Sequence, residues 1–140
     1  MIPRILSVDD SKTIRLILAR LLRPFVCEFA EAADGEEGLA KVAEFQPSLI
    51  ILDHNMPNMD GLTMLQHLRV IPQFKRTPVI MLSAESGPSN IAAAARLGVR
   101  DYVTKPFSDD VLIGKIGRII KLVPREEASA AAADTPTSST

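Results

Sequence analysis

The stretch IILDHNMPNMDG, Ile50–Gly61, decides the fold and frames the chemistry. An apolar run stops at Asp53. With Ser48 and Leu49 in front of it, SLIILD reads as a strand. Ile50, Ile51 and Leu52 show no polar alternation, so both faces of that strand should be covered. A loop rich in Asn and Pro follows, then a helix, GLTMLQHLRVI, from Gly61. A buried strand that ends on a carboxylate raises the question of what that carboxylate meets.

Working outward, apolar runs and helical patterns alternate. RILSV (Arg4–Val8) reads as a short buried strand, and SKTIRLILARLLR as a helix with Ile14, Ile17, Leu18, Leu21 and Leu22 at helical spacing. Ser11 suits its N-cap and Pro24 stops it. FVCEFA (Phe25–Ala30) reads as a strand, and DGEEGLAKVAEF as a helix started near Asp34 and ended before Pro47. TPVIMLS (Thr77–Ser83) is another continuous apolar strand, followed by a helix, SNIAAAARL, with Gly98 at its C′ position. RDYVTK gives a short last strand and DDVLIGKIGRIIKLV a last helix.

Five strand–helix repeats in about 120 residues predict an α/β chain with a parallel sheet and helices on both faces, a doubly wound three-layer sandwich. Residues 1–123 make one domain. Residues 124–140, PREEASAAAADTPTSST, carry no apolar stripe and are predicted to be a disordered tail or linker rich in Ala, Ser, Thr and Pro.

The whole chain has 140 residues, 46% of them hydrophobic, enough for a real core. No apolar stretch approaches the roughly 20 residues that span a bilayer, and the N-terminus lacks a signal-peptide pattern. No membrane insertion is expected, and the location is expected to be cytoplasmic. The formal net charge of −1 offers no general basic excess for gripping nucleic acid. The single Cys27 is expected to be a buried structural thiol.

In an open parallel sheet, ligands bind beyond the carboxyl ends of the strands. After the first strand come Asp9 and Asp10. After the third comes Asp53. The fourth ends in Ser83, with Ala84 next, and the fifth leads to Thr104, Lys105 and Pro106. Three carboxylates gathered at one edge repel one another, and a cation among them relieves that repulsion. Hard oxygen ligands suit Mg²⁺, with Mn²⁺ able to substitute, and no Cys–His cluster offers a zinc site. Lys105 is expected to add positive charge on the other side of Asp53. Such a carboxylate is set up to attack a phosphoryl group, with Ser83 donating a hydrogen bond to a phosphoryl oxygen and Ala84 leaving room for the donor.

The segments SVDDS, ILDHNMPNMDG, MLSAES and DYVTKPF, in that order at strand ends, resemble the receiver domain of response regulators, most closely its stand-alone chemotaxis type. The resemblance covers about Ile2–Val123. It implies a flavodoxin-like, CheY-like (βα)5 fold with strand order 2-1-3-4-5, an order supplied by the family and not by the residues. It also implies Asp53 as phospho-acceptor and Asp9, Asp10, Asp53 and the backbone carbonyl of Asn55 as metal ligands. Lys105 pairs with the phosphoryl group, Ser83 and Tyr102 act as switch residues, and a cis bond precedes Pro106. Pro57 and Gly61 shape the loop after the acceptor, and Asn55 and Glu85 flank the pocket, where they set the lifetime of the acyl phosphate. His54, where an apolar or aromatic residue is commoner in the family, reads as a pocket-lining spacer. The implied partners are a histidine kinase as phosphodonor and a downstream protein bound through the face made by the fourth helix, fifth strand and fifth helix. The chain is then a signalling phospho-acceptor that catalyses only its own phosphorylation and dephosphorylation, with no DNA binding expected.

A single-domain phosphorelay receiver, or the receiver part of a longer regulator, shares every residue named and is the alternative reading. Other classes fit less well. An Asp-nucleophile phosphatase needs a second carboxylate two residues after the nucleophile, where Asn55 stands. A flavodoxin-type electron carrier needs a Ser/Thr/Gly-rich phosphate loop after the first strand, where the acidic DDSK stands. Gly114 and Gly117 weaken the last helix by roughly 1 kcal/mol each relative to Ala, which close packing or a partner surface would explain.

Overall fold

A computed structural model of the chain describes residues 2–128. The elements run β1 (Arg4–Val8), α1 (Lys12–Leu22), β2 (Glu28–Ala32), α2 (Gly35–Phe45), β3 (Leu49–Leu52), α3 (Gly61–Val70), β4 (Val79–Ser83), α4 (Pro88–Arg96), β5 (Asp101–Thr104) and α5 (Asp109–Gly117). A short 3-10 turn, Pro72–Phe74, separates α3 from β4. All neighbouring strands pair in parallel, in the order β2-β1-β3-β4-β5.

Side-chain alternation divides the core into two layers. Leu6, Val8, Ile50, Leu52, Val79 and Met81 point to one face of the sheet and pack with Val42 of α2, Met64, Leu65 and Leu68 of α3 and Ala94 of α4. Ile5, Leu49, Ile51, Ile80, Leu82 and Val103 point to the other and pack with Leu18 and Leu22 of α1 and Leu112 and Ile116 of α5. This is why β3 and β4 read as unbroken apolar runs: every residue of both is buried. Each fully buried Leu, Ile or Val contributes about 1.5–3 kcal/mol relative to exposure.

The helix starts follow the local chemistry. Ser11 accepts from the N–H of Ile14, Asp34 from Glu37, Asp60 from Thr63 and Ser108 from Val111. Each thereby satisfies one N–H that an α-helix leaves without an internal partner. Gly98 follows α4 at φ 78°, a left-handed conformation that glycine adopts without a Cβ clash.

Three sequence expectations shift. The second strand is Glu28–Ala32, later than the apolar run Phe25–Ala30 suggested. Phe25, Val26 and Cys27 instead meet the C-terminal segment: Phe25 bridges Pro124, and the Val26 N–H donates to the Val123 carbonyl at 2.8 Å. The last helix ends at Gly117, so Arg118–Val123 form the return to that contact. Pro124 and the helical turn over 125–128 lie beyond the boundary read at 123, yet they are packed. Arg125 donates through its backbone N–H to the Pro24 carbonyl at 2.7 Å and through Nε to the Arg23 carbonyl at 2.8 Å. Residues 129–140 of the segment read as a tail lie outside the described residues.

Close packing is not the reason for Gly114 and Gly117, since a Cβ built at either meets nothing within 4 Å. Cys27 is half-buried rather than fully buried, and burial pushes its thiol pKa up against a smaller opposing effect of Arg125.

Candidate functional site

The sheet's hydrogen bonding runs one residue past the strand ends and fixes the polar groups there. The Asp9 N–H donates to the Ala32 carbonyl at 3.0 Å, the Asp53 N–H to the Val8 carbonyl at 2.8 Å, and the Lys105 N–H to the Ser83 carbonyl at 2.8 Å. Each of these residues is thus held by the last residue of a neighbouring strand. Side chains carried this way start from rigid backbone, which suits a site that must keep its geometry.

Asp9, Asp10 and Asp53 converge: one carboxylate oxygen from each lies within 4.8 Å of the others. Asp9 and Asp53 are buried, and Asp10 is exposed. Lys105 Nζ lies 2.9 Å from Asp9 Oδ2 and 3.5 Å from Asp53 Oδ1. The ammonium therefore bridges the two buried acids, nearer Asp9, rather than standing beyond Asp53 alone as the sequence suggested. Burial first, and the Asp9 charge second, push the Asp53 carboxyl up to about 7. Lys105 and the His54 N–H pull it down, and Asp10 adds a weaker push upward. That N–H donates to Asp53 Oδ1 at 2.8 Å. The donor set is three hard carboxylates with one open side, which fits a divalent cation such as Mg²⁺.

The loop after Asp53 is shaped by close contact. A Cβ built on Gly61 would sit 2.1 Å from the Asp53 carbonyl oxygen, and the Gly61 N–H donates to the His54 carbonyl at 2.8 Å. Only glycine lets α3 begin against the acceptor's own backbone. His54 is half-buried, and its Nδ1 is enclosed without a hydrogen-bond partner.

On the far side, Ser83 is buried, and its Oγ accepts from the Glu85 N–H at 3.1 Å. The Tyr102 hydroxyl donates to the Glu85 backbone carbonyl, so the ring lies against the loop after β4. Burial pushes the Tyr102 phenol above its ordinary value. Ala84 and Pro106 are exposed beside these groups, and the Lys105–Pro106 bond is cis. The Asn55 side-chain amide donates to Glu85 Oε1 at 2.7 Å and links the loops after β3 and β4. Asp9, Asp10, Asp53 and Lys105 thus meet in one cluster, with Ser83 at the end of β4 and Tyr102 in β5 beside the loop after β4.

Arg15 was not singled out from the sequence. Its Nη1 donates to the Asp9 carbonyl at 2.6 Å and its Nε to Glu31 at 2.9 Å, bracing the acidic loop from α1. The signal was its place four residues after Ser11, one helical turn into α1 and on the same side as the cap.

With this geometry in hand, similarity to known proteins is informative. Residues 5–117 match the family model of the response regulator receiver domain. Protein PilG of Pseudomonas aeruginosa is 40% identical over 113 residues, covering 81% of this chain and 84% of that protein. Chemotaxis protein CheY of the same organism is 39% identical over 121 residues, covering 86% of this chain and 98% of that protein. Among solved structures, the CheX–CheY–BeF3–Mg²⁺ complex from Borrelia burgdorferi superposes with a TM-score of 0.78 at 26% identity, covering 84% of this chain and 88% of that one.

Proposed function

Because the chain belongs to the response regulator receiver domain family, homologous to the chemotaxis regulator CheY and to PilG, we propose that Asp53 is its phospho-acceptor and that Asp9, Asp10 and Asp53 hold Mg²⁺. The carrying observation is the cluster itself: three carboxylates and one ammonium fixed at the ends of β1, β3 and β5. A superposable relative was crystallised with BeF3 and Mg²⁺, which supports the reading. By its match to the family's pattern, Asn55 would offer the cation its backbone carbonyl. Bound there, the cation supplies positive charge that relieves carboxylate repulsion and favours phosphoryl oxygens.

The chain's own groups then divide the work. An ionised Asp53 oxygen attacks the phosphorus of a phosphohistidine; the new P–O bond forms as the P–N bond breaks, and the imidazole leaves with a proton from solvent. Lys105, already bridging Asp9 and Asp53, offers its ammonium to a phosphoryl oxygen. Ser83 donates its hydroxyl proton to another. Ala84 leaves the mouth open, while Asn55 and Glu85, joined to each other, sit where attacking water must pass and set the acyl-phosphate lifetime.

The added phosphoryl group brings roughly −1.5 to −2 charges and three acceptor oxygens. Ser83 moving toward them stabilises the arrangement in which Tyr102 rests on the Glu85 carbonyl, a population shift between two packings. The face of α4, β5 and α5, with Ile91 and Val111 exposed, is the surface for a downstream protein. The chemistry is limited to the chain's own phosphorylation and dephosphorylation, with a histidine kinase as donor. No helix among the described residues is long and apolar enough to cross a membrane.

Phosphoramidate with Mg²⁺ should label the wild-type protein on one carboxylate, detected as an added phosphoryl mass, and leave Asp53→Asn unlabelled. Equal labelling of that variant would remove Asp53 from the role.

A further inference from the structure

At the end of the sheet opposite the acidic cluster, the entry to β4 and β5 is basic. Between Gly61 and Arg100 the sequence holds Arg69, Lys75, Arg76, Arg96 and Arg100 and a single acid, Glu85, in a chain whose net charge is −1. All five cations line one cavity of about 410 Å³, between the turn that leads into β4 and the turn that leads into β5. No carboxylate lines it, and among the described residues none of the five is in an ion pair.

Arg69 differs from the other four. Its guanidinium is half-buried and donates to the carbonyls of Leu97 at 2.7 Å, Thr77 at 2.9 Å, Lys75 at 3.2 Å, Phe74 at 3.3 Å and Gly98 at 3.4 Å. It ties both turns together and fixes a positive charge in the cavity wall. Because carbonyls already hold it, an anion need not order it, and that part of the binding entropy is already met. Lys75, Arg76, Arg96 and Arg100 are exposed around this fixed charge, and among the described residues their side chains are in no ion pair.

We propose that this cavity binds a small anion carrying two linked phosphate groups, such as pyrophosphate or the phosphate chain of a nucleotide. Three properties favour that class. The volume lies within the roughly 300–1,000 Å³ typical of small-molecule sites, and a concave cluster focuses its field inward. Two linked phosphates carry roughly three negative charges near neutral pH and offset most of the four outer cations, whereas a single carboxylate leaves most of them repelling. Three of the four are arginines, whose planar fork matches phosphate oxygens in pairs. Phosphate of either origin, inorganic or nucleotide, shares this chemistry. The inference does not depend on the phospho-acceptor reading, since it concerns the other end of the strands.

The test is a titration of the full chain, ¹⁵N-labelled and in EDTA so that the acidic cluster holds no metal, with pyrophosphate and separately with ATP. The expected result is saturable shifts centred on Thr77, Gly98 and Arg100. An Arg76→Ala/Arg100→Ala variant should weaken the affinity by roughly tenfold or more. Unchanged thermal unfolding and unchanged phosphoramidate labelling of that variant separate loss of the site from loss of the fold. Tighter binding of ATP than of pyrophosphate assigns the nucleotide source; equal binding assigns the phosphates alone. Non-saturable or dispersed shifts, or affinity unchanged in the variant, would overturn the proposal. So would binding of duplex DNA or anionic vesicles by a protein that ignores both small anions.

Discussion

Asp53→Asn should stabilise the metal-free protein at high pH and do little at low pH. Asp53 is buried with Asp9 and Asp10 beside it, and its carboxyl is pushed from an ordinary 3.8 to about 7. Below an ordinary carboxyl pKa, folded and unfolded chains both keep the proton, and the group contributes nothing. Between that value and about 7 the unfolded chain has released the proton while the folded one retains it, so stability falls as pH rises. Above about 7 both are ionised and the full penalty is present. A displacement of this size corresponds to at most about 4 kcal/mol, and solvent reaching the open side of the cluster reduces it, to about 2 kcal/mol. Asparagine keeps the shape and removes the charge. Urea unfolding in EDTA, followed by circular dichroism, should place the variant's midpoint roughly 1 M above wild type at pH 8, with the difference shrinking steadily toward pH 4. Saturating Mg²⁺ should stabilise the wild type more than the variant. A difference that does not change with pH, or a variant less stable than wild type at pH 8, would refute the electrostatic account of the cluster.

Gly61→Ala puts a Cβ 2.1 Å from the Asp53 carbonyl oxygen, which cannot give way without moving the acceptor. A loss of about 3 kcal/mol or more is expected in urea unfolding, together with slower phosphoramidate labelling. Gly114→Ala meets nothing within 4 Å in the exposed middle of α5 and should raise stability by roughly 0.5–1 kcal/mol in the same assay. Ser7 is buried in β1 with its hydroxyl unpartnered, so Ser7→Ala should be neutral or stabilising by up to about 1 kcal/mol, not destabilising. Lys105→Ala leaves the three carboxylates in place; calorimetry should still detect Mg²⁺ binding, while the phosphorylated variant should lose affinity for its downstream partner.

Most of the fold was legible because its signals are local. Leu49–Leu52 and Val79–Ser83 read as fully buried strands and are so, and Ser11 and Asp34 cap the helices they precede. The second strand was misplaced for a non-local reason. Phe25, Val26 and Cys27 look like strand, but their backbone pairs with a segment about 100 residues later in the chain instead of with the sheet. The strand itself, EFAEA, lies at the sheet edge with Glu28 and Glu31 exposed, so its apolar signal is weak. The length of α5 failed likewise: Ile119, Ile120 and Leu122 are apolar because they pack against the core layer that holds Leu18, Leu22, Leu112 and Ile116, not because the helix continues. Arg15 showed in the sequence only by its spacing from Ser11, because the group that ties it to the site is the Asp9 backbone carbonyl, which no residue type announces.

The basic cavity escaped for a different reason. A parallel sheet sorts the chain twice: whatever follows the strands gathers at one end, and whatever precedes them gathers at the other. Reading the residues after each strand brought Asp9, Asp10, Asp53, Ser83 and Lys105 together. The same reading applied to the residues before each strand pairs Arg69, Lys75 and Arg76, which precede β4, with Arg96 and Arg100, which precede β5. Because β4 and β5 are adjacent, the two groups must meet. The basic cluster at the entry to β4 and β5 is therefore a consequence of strand order, and a net charge of −1 conceals it. Ligands respond to the local field of such a cluster, not to the sum of charges over the chain.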